Sequence, residues 1–326
     1  MKTLVTGGAG FIGSHLVENL MDDGESVIVL DDLSTGSLEN LQSVSAREGF
    51  TFVEGSILDR ELLSRLTSQV DTVYHLAAAV GTFTILEKTL TSLRTNLQGT
   101  ENVLDAALEA GVRLLVASTS EVYGKNTTIG LREEDDRVLG SPLKSRWSYA
   151  EAKAIDETLT YIYATELGLD AVIVRLFNTV GPRQTGMYGM VVPRFVRQAR
   201  AGEPVTVYGT GKQVRCFCHV ADVIPTLRKL MDDRDAYGKV FNVGSTEQVS
   251  IEQLARRVID ITGSSSDITY IPYEDAYPAG FEDMERRVPD CSRAAAQVGH
   301  APTRDLDTII RDVAAEQAMS SAPVAG

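Results

Sequence analysis

The feature that most restricts this chain is its opening: Thr6-Gly7-Gly8-Ala9-Gly10-Phe11-Ile12-Gly13, directly after a short apolar run and directly before a helical pattern. In a strand–turn–helix unit the first glycine allows a tight turn, Gly10 lets backbone approach a pyrophosphate, and Gly13 permits close packing of the helix. The helix N-terminus then offers unpaired amides to an anion. Asp31 ends the next apolar run about twenty residues on, where an acid holds an adenine ribose hydroxyl. Asp32 follows and no arginine lies near, so the pattern reads as an NAD site, with the phosphate of NADP disfavoured.

The rest of the chain extends this unit. Apolar runs at 3–6, 27–30, 50–53, 72–76, 114–118 and 171–177 read as strands buried on both faces, and they alternate with helical patterns at 13–23, 59–68, 86–110 and 149–167. This βαβα rhythm predicts an α/β fold of Rossmann type, a doubly wound parallel sheet over residues 1–177. After that the pattern loosens, with a helix at 192–201, strands at 205–208 and 240–243, and a helix at 251–261. Residues 178–317 are expected to form mainly a smaller C-terminal substrate-binding domain, with some segments returning to the main sheet, and 318–326 a frayed tail.

Charge narrows the partners. The chain carries 31 Lys plus Arg against 45 Asp plus Glu, a formal charge of −14. Such a field repels nucleic acid and acidic membrane surfaces, so any bound phosphate must be held locally. No signal-peptide pattern and no apolar run of about 18 residues occurs, which predicts a cytoplasmic chain. Three cysteines give no disulfide framework. Cys216, Cys218 and His219 sit close together, but Cys-x-Cys in an alternating, strand-like run lacks the knuckle spacing of a zinc site, and no metal is expected.

Tyr149 and Lys153 are four residues apart in a helical pattern and therefore share a face. An ammonium beside a phenol favours phenolate, which makes Tyr149 a candidate base. The fifth strand ends in Ser118-Thr119-Ser120-Glu121-Val122-Tyr123-Gly124, placing hydroxyls at the sheet edge where open α/β folds bind ligands.

Taken together, these motifs resemble the extended short-chain dehydrogenases/reductases that modify nucleotide sugars. The similarity also covers His75-Leu76-Ala77-Ala78, Asn96 and Arg175-Leu176-Phe177-Asn178. It implies that NAD takes hydride from sugar C4, that Tyr149 deprotonates the 4-hydroxyl with help from Thr119, and that Lys153 holds the nicotinamide ribose. By resemblance the cofactor would also meet Gly7, Gly10, Phe11, Ile12, Gly13, Asp31, Asp32, Ser34, Thr35, Gly36, Ser56, Ile57, Leu76, Ala77, Ala78, Asn96 and Ser118. Ser56 stands where many relatives carry an Asp that meets the adenine amine. Asn178 and Arg215 resemble the residues that contact the UDP diphosphate.

The sugar chemistry is set by fewer positions. Glu121 occupies space that 4-epimerases of the family leave to small residues, and Ser120 replaces the acid of the dTDP-glucose dehydratases. Thr119-Ser120-Glu121, the stretch from Lys144 to Tyr149 and the stretch from Gly280 to Asp290 resemble UDP-glucuronate decarboxylases, including UDP-apiose/xylose synthase. The resemblance implies that Arg287 reaches the C6 carboxyl, that Ser120 helps hold it, and that Glu121 assists early proton handling. The plain alternatives are a solvated Glu121 and an Arg287 in an exposed charged run. UDP-glucuronate decarboxylation to a UDP-pentose is thus expected. The other readings are a UDP-sugar 4-epimerase, a nucleotide-sugar dehydratase and a non-catalytic NAD-binding regulator. Family resemblance also implies a homodimer through the helices at 86–110 and 149–167, with Leu159, Tyr161 and Ile162 as interface or core.

Overall fold

The computed structural model describes residues 1–79, 89–186, 190–277, 282 and 284–320. Its centre is one parallel sheet of β1 (Lys2–Thr6), β2 (Ser26–Asp31), β3 (Phe50–Glu54), β4 (Thr72–His75), β5 (Arg113–Thr119), β6 (Ala171–Leu176) and β11 (Val240–Val243). The spatial order is β3-β2-β1-β4-β5-β6-β11. Strand order therefore reverses beside β1, which pairs with β2 on one side and β4 on the other. In open sheets of this kind the crevice at that reversal binds ligands.

Helices cover both faces. On one side α1 (Phe11–Asp22) packs with α6 (Val220–Asp232) and on the other α2 (Arg60–Thr67), α3 (Thr89–Ala110) and α4 (Ser148–Thr165) pack together. Each face has its own apolar core. Val5, Val29 and Leu16 meet Val223 and Leu227 under α1, while Leu4, Ile28 and Val116 meet Val103 and Leu104 under α3. Val27-Ile28-Val29-Leu30 is buried throughout, as a two-sided parallel strand requires. The helix expected over 86–110 runs from Thr89, and positions 86–88 fall outside the described residues.

A second body builds on α5 (Val191–Arg200), α7 (Ile251–Thr262) and α10 (Leu306–Ser320), which share a core with β8 (Val205–Tyr208). β8 pairs with β13 (Ile268–Ile271). A small sheet joins β12 (Gln248–Ser250), β9 (Val214–Cys216) and β14 (Arg286–Arg287). Two-residue strands β7 (Thr179–Val180) and β10 (Cys218–His219) pair below it. α7 starts on a reciprocal capping box of Ser250 and Gln253 and stops at left-handed Gly263, both local sequence signals.

Helix α6 lacks such a signal. It belongs to the main body although it follows the first strands of the second, and Pro225 inside it removes a backbone donor and masks the helical pattern. The chain re-enters the main body at α6 and β11, and again at α9 (Ser292–Val298), which packs on both. The short helix α8 (Tyr273–Ala276) lies between β13 and β14. α10 is helical through Ser320, so the part of the expected tail from 318 to 320 is ordered as helix, and 321–326 lie outside the described residues. No helix among the described residues is long and apolar enough to cross a membrane.

Candidate active site

A cleft of about 950 Å³ runs along the C-terminal edge of the sheet, between it and the second body. Gly7 turns the chain with φ of +72°, and a Cβ there would meet the amide nitrogen of Ala77 at 2.7 Å. A Cβ on Gly13 would run into the Gly7 carbonyl. α1 then begins at Phe11 with Gly10 as its cap and no side chain satisfying the first amides. Those amides are the donors an anion needs.

Asp31 ends β2, where its carboxylate accepts from the amides of Ala9 and Leu33, both at 2.9 Å. Burial raises its pKa while those amides hold it down. Asp32, Ser34, Thr35, Phe11, Ile12, Ile57, Leu76, Ala77 and Ala78 also line this end. This glycine cradle, with an acid at the end of the second strand, fits NAD: the amides suit its pyrophosphate and Asp31 its adenosine ribose.

Three expected cofactor contacts sit differently. Ser56 turns its hydroxyl to the amide of Leu58 in a local turn, leaving Gly55 and Ile57 on the cleft wall. Asn96 is buried and clamps the backbone of Ala79, accepting from its amide at 2.8 Å, so it shapes the loop after β4 rather than facing the cleft. Gly36 packs against Ala9 behind the cradle.

At the cleft's middle, β5 ends in Thr119, whose hydroxyl accepts from the amide of Glu121 and starts a tight turn over Ser120–Tyr123. Ser118, Thr119, Ser120 and Glu121 therefore all line the cleft, opposite Tyr149 and Lys153 on α4. Tyr149 is hydrogen-bonded to Thr119. Behind them Arg175 donates to Glu157 at 2.7 Å and to Tyr123 at 2.8 Å, and Ser118 also donates to Glu157. Glu157 lies one turn beyond Lys153, so this network fixes α4 against β5 and β6.

The phenol does not have the lowered pKa expected from Lys153. Burial first, then the negative charges of Glu121 and Asp156, push Tyr149 upward, with Thr119 acting the other way. Lys153 instead directs its ammonium to Asp156 at 3.1 Å.

Glu121 is likewise not a solvated loop carboxylate. Arg146 donates to it through Nη1 at 2.5 Å and Nη2 at 3.2 Å, and Arg287 through Nη1 at 2.8 Å. Burial would raise its pKa, but the two guanidinium groups hold it down to about 2. Glu121 is therefore held as the carboxylate by its two arginines. Arg287 lies in the cleft and not in an exposed charged run; its other arm donates to Asn178 Oδ1 at 2.7 Å.

Asn178 adopts φ of +32°, and its amide nitrogen donates to the Cys216 carbonyl at 2.7 Å. Both ends of the side chain thus tie β14 to β9, so it orients Arg287 where a diphosphate contact was expected. Arg215 is the cross-strand partner of Arg287 and lines the same wall. With Arg146 and Arg194 it makes the wall of the cleft away from the glycine cradle rich in arginine inside a strongly acidic protein.

Sequence reasoning left Arg146 unassigned. It precedes Tyr149 in the quoted stretch, yet its partner lies on another element, and its guanidinium stacks 5.1 Å from the centre of Trp147. Also missed is the far end, where Arg194 lies 4.0 Å from the centre of the Tyr208 ring, which meets Tyr277 edge-on at 5.5 Å. Cys216 and Cys218 are buried in β9 and β10 with thiols pushed up by burial.

The NAD dependent epimerase/dehydratase family model matches residues 3–244. The UDP-N-acetyl-alpha-D-glucosaminuronate decarboxylase of Bacillus cytotoxicus is 42% identical over 90% of this chain and 90% of its own length. UDP-glucuronic acid decarboxylase 1 of Xenopus tropicalis is 35% identical over 94% of this chain and 69% of its own. Among solved structures, the UDP-glucuronic acid 4-epimerase of Bacillus cereus, in complex with UDP-glucuronic acid and NAD, is similar with a TM-score of 0.88. It is 28% identical and covers 98% of this chain and 100% of that one.

Proposed function

The chain belongs to the NAD dependent epimerase/dehydratase family, and from that premise we propose that it decarboxylates a UDP-linked hexuronate to a UDP-pentose. The supporting observation is the convergence of Arg146 and Arg287 on Glu121 beside Thr119 and Tyr149. Both guanidinium groups line the cleft wall and are held there in fixed orientation by Glu121. A substrate carboxylate suits a guanidinium fork. A neutral hexose does not. The decarboxylases of Bacillus cytotoxicus and Xenopus tropicalis lend further support.

The Gly7–Gly13 cradle and Asp31 would hold NAD, which would supply an acceptor for the C4 hydride and a donor for its return. Tyr149, once ionised, takes the proton of the 4-hydroxyl through its contact with Thr119. The resulting ketone lies β to the C6 carboxylate, so the C5–C6 bond breaks with its electron pair passing into the C4 enolate. Carbon dioxide leaves and C5 is then protonated. Arg146, Arg287 and Ser120 orient the carboxylate before it departs. Arg215, Arg194 and Tyr208 hold the nucleotide end.

Supplying UDP-glucuronate, UDP-N-acetylglucosaminuronate and UDP-glucose separately, with NMR of the sugar and measurement of carbon dioxide, tests this. Carbon dioxide and a UDP-pentose from either uronate are expected; turnover of a uronate without carbon dioxide overturns the reading. A second reading, UDP-uronate 4-epimerisation, draws on the Bacillus cereus likeness, and an inverted C4 hydroxyl with the carboxylate retained would establish it. For assembly we propose a homodimer through α3 and α4, on which Leu90, Ile155, Tyr161 and Ile162 stand exposed.

A further inference from the structure

Beneath the cleft floor a row of buried polar side chains leads away from Lys153. Lys153 and Asp156 are 2% and 0% exposed and pair at 3.1 Å. Burial raises the Asp156 pKa, with Lys153 first and then Thr100, from α3, acting the other way. The Thr100 hydroxyl meets His75 Nε2 at 3.1 Å, and His75 Nδ1 meets the Thr6 hydroxyl at 2.8 Å, directly before the glycine turn. Burial, with Lys153 adding to it, lowers the His75 pKa to about 3, so the imidazole is neutral. The charges in this layer are therefore those of Lys153 and Asp156, with Glu157 beside them and committed to Arg175.

We propose that Asp156 is a positioning residue that sets the protonation of Tyr149, by drawing the Lys153 ammonium into the floor and placing a second negative charge behind the phenol. This inference rests on the reading of Tyr149 as the base. The groups acting on the phenol are Thr119 and Glu121 from the end of β5 and Asp156 from its own helix, with Arg146 and Arg287 opposing Glu121. Glu121 is compensated twice over. Among the described residues the cation paired with Asp156 is Lys153, so a change in that pair passes to the phenol. Charge at Asp156 keeps Tyr149 protonated to higher pH and so raises the pH at which it becomes a base.

Protein isotope-labelled at tyrosine Cζ, titrated with NAD bound and compared with Tyr149→Phe to identify the resonance, reads this directly. Asp156→Asn keeps the shape, removes the charge and frees the ammonium toward the phenol. The Tyr149 midpoint is expected to fall by about one unit, and the acidic limb of the turnover profile with it. Thr100→Val withdraws a polar neighbour that favours the Asp156 carboxylate, and a smaller fall is expected. An unchanged or higher midpoint in Asp156→Asn that retains its dinucleotide overturns the proposal. If that variant does not fold, an unchanged midpoint in Thr100→Val overturns it. Failure of the decarboxylase reading registers separately, as wild-type protein releasing no carbon dioxide while the phenol still shifts.

Discussion

Arg146 grips Glu121 with both terminal nitrogens, at 2.5 Å and 3.2 Å, while Arg287, from β14, holds the same carboxylate at 2.8 Å. Glu121 thereby presents two guanidinium groups, already ordered, to whatever enters the cleft. An arriving carboxylate meets prepaid geometry, which is the advantage of a preorganised site.

Arg146→Lys keeps the charge but loses the planar fork. A fall in kcat/KM for a UDP-hexuronate of about 10- to 100-fold is expected, in line with the loss of one charge-assisted hydrogen bond. Steady-state release of carbon dioxide measures it, and an unchanged kcat/KM would separate Arg146 from substrate binding.

The Glu121 carboxylate also carries a stability signature. Its pKa is held at about 2 in the folded chain against an ordinary 4.5. A lowered carboxylate pKa adds stability that is complete above the ordinary value and is lost as pH falls toward the folded one. Glu121→Gln is therefore expected to be less stable than wild type at neutral pH, by about 2–3 kcal/mol. The gap should close between pH 4.5 and 2, as followed by urea midpoints across that range.

How much of this was legible beforehand depends on the distance over which each feature is determined. The glycine turn, Asp31 and the Tyr149–Lys153 spacing are local patterns, and each stands where the sequence predicts. The grip on Glu121 is not local: Arg146 follows a loop and Arg287 comes from β14, so neither sequence neighbourhood reveals the shared partner. Asn96 and Ser56 turn toward backbone amides because a buried or turn-forming side chain first satisfies its nearest donors. α6 was hidden by Pro225, whose cost is offset by packing of Val223 and Leu227 on the sheet.

Gly7→Ala tests the cradle. The position is left-handed and the added carbon meets Ala77 backbone. A cost on the order of 1–3 kcal/mol is expected to fall on the turn, so the purified variant should carry much less dinucleotide than wild type. Absorbance and chromatography of the released cofactor decide, and full retention would show that the turn tolerates displacement.

Ile155 and Tyr161 are 48% and 54% exposed on α4. If α3 and α4 pair across a two-fold axis, wild type sediments as a dimer and Ile155→Glu with Tyr161→Glu sediments as a monomer, since a charge buried without a partner is strongly disfavoured. A wild-type monomer at working concentration would dismiss this interface.

Because α6, β11 and α9 interleave with the second body along the chain, the polypeptide passes repeatedly between the two walls of the cleft. Neither wall is a detachable cassette. Truncation after residue 177 removes an edge strand and a covering helix from the main sheet, so the first half alone should not persist as a folded unit. The same stitching restricts how new specificities arise among such chains: exchanging a whole substrate module would tear the sheet, whereas altering a few residues on the cleft wall leaves the scaffold intact.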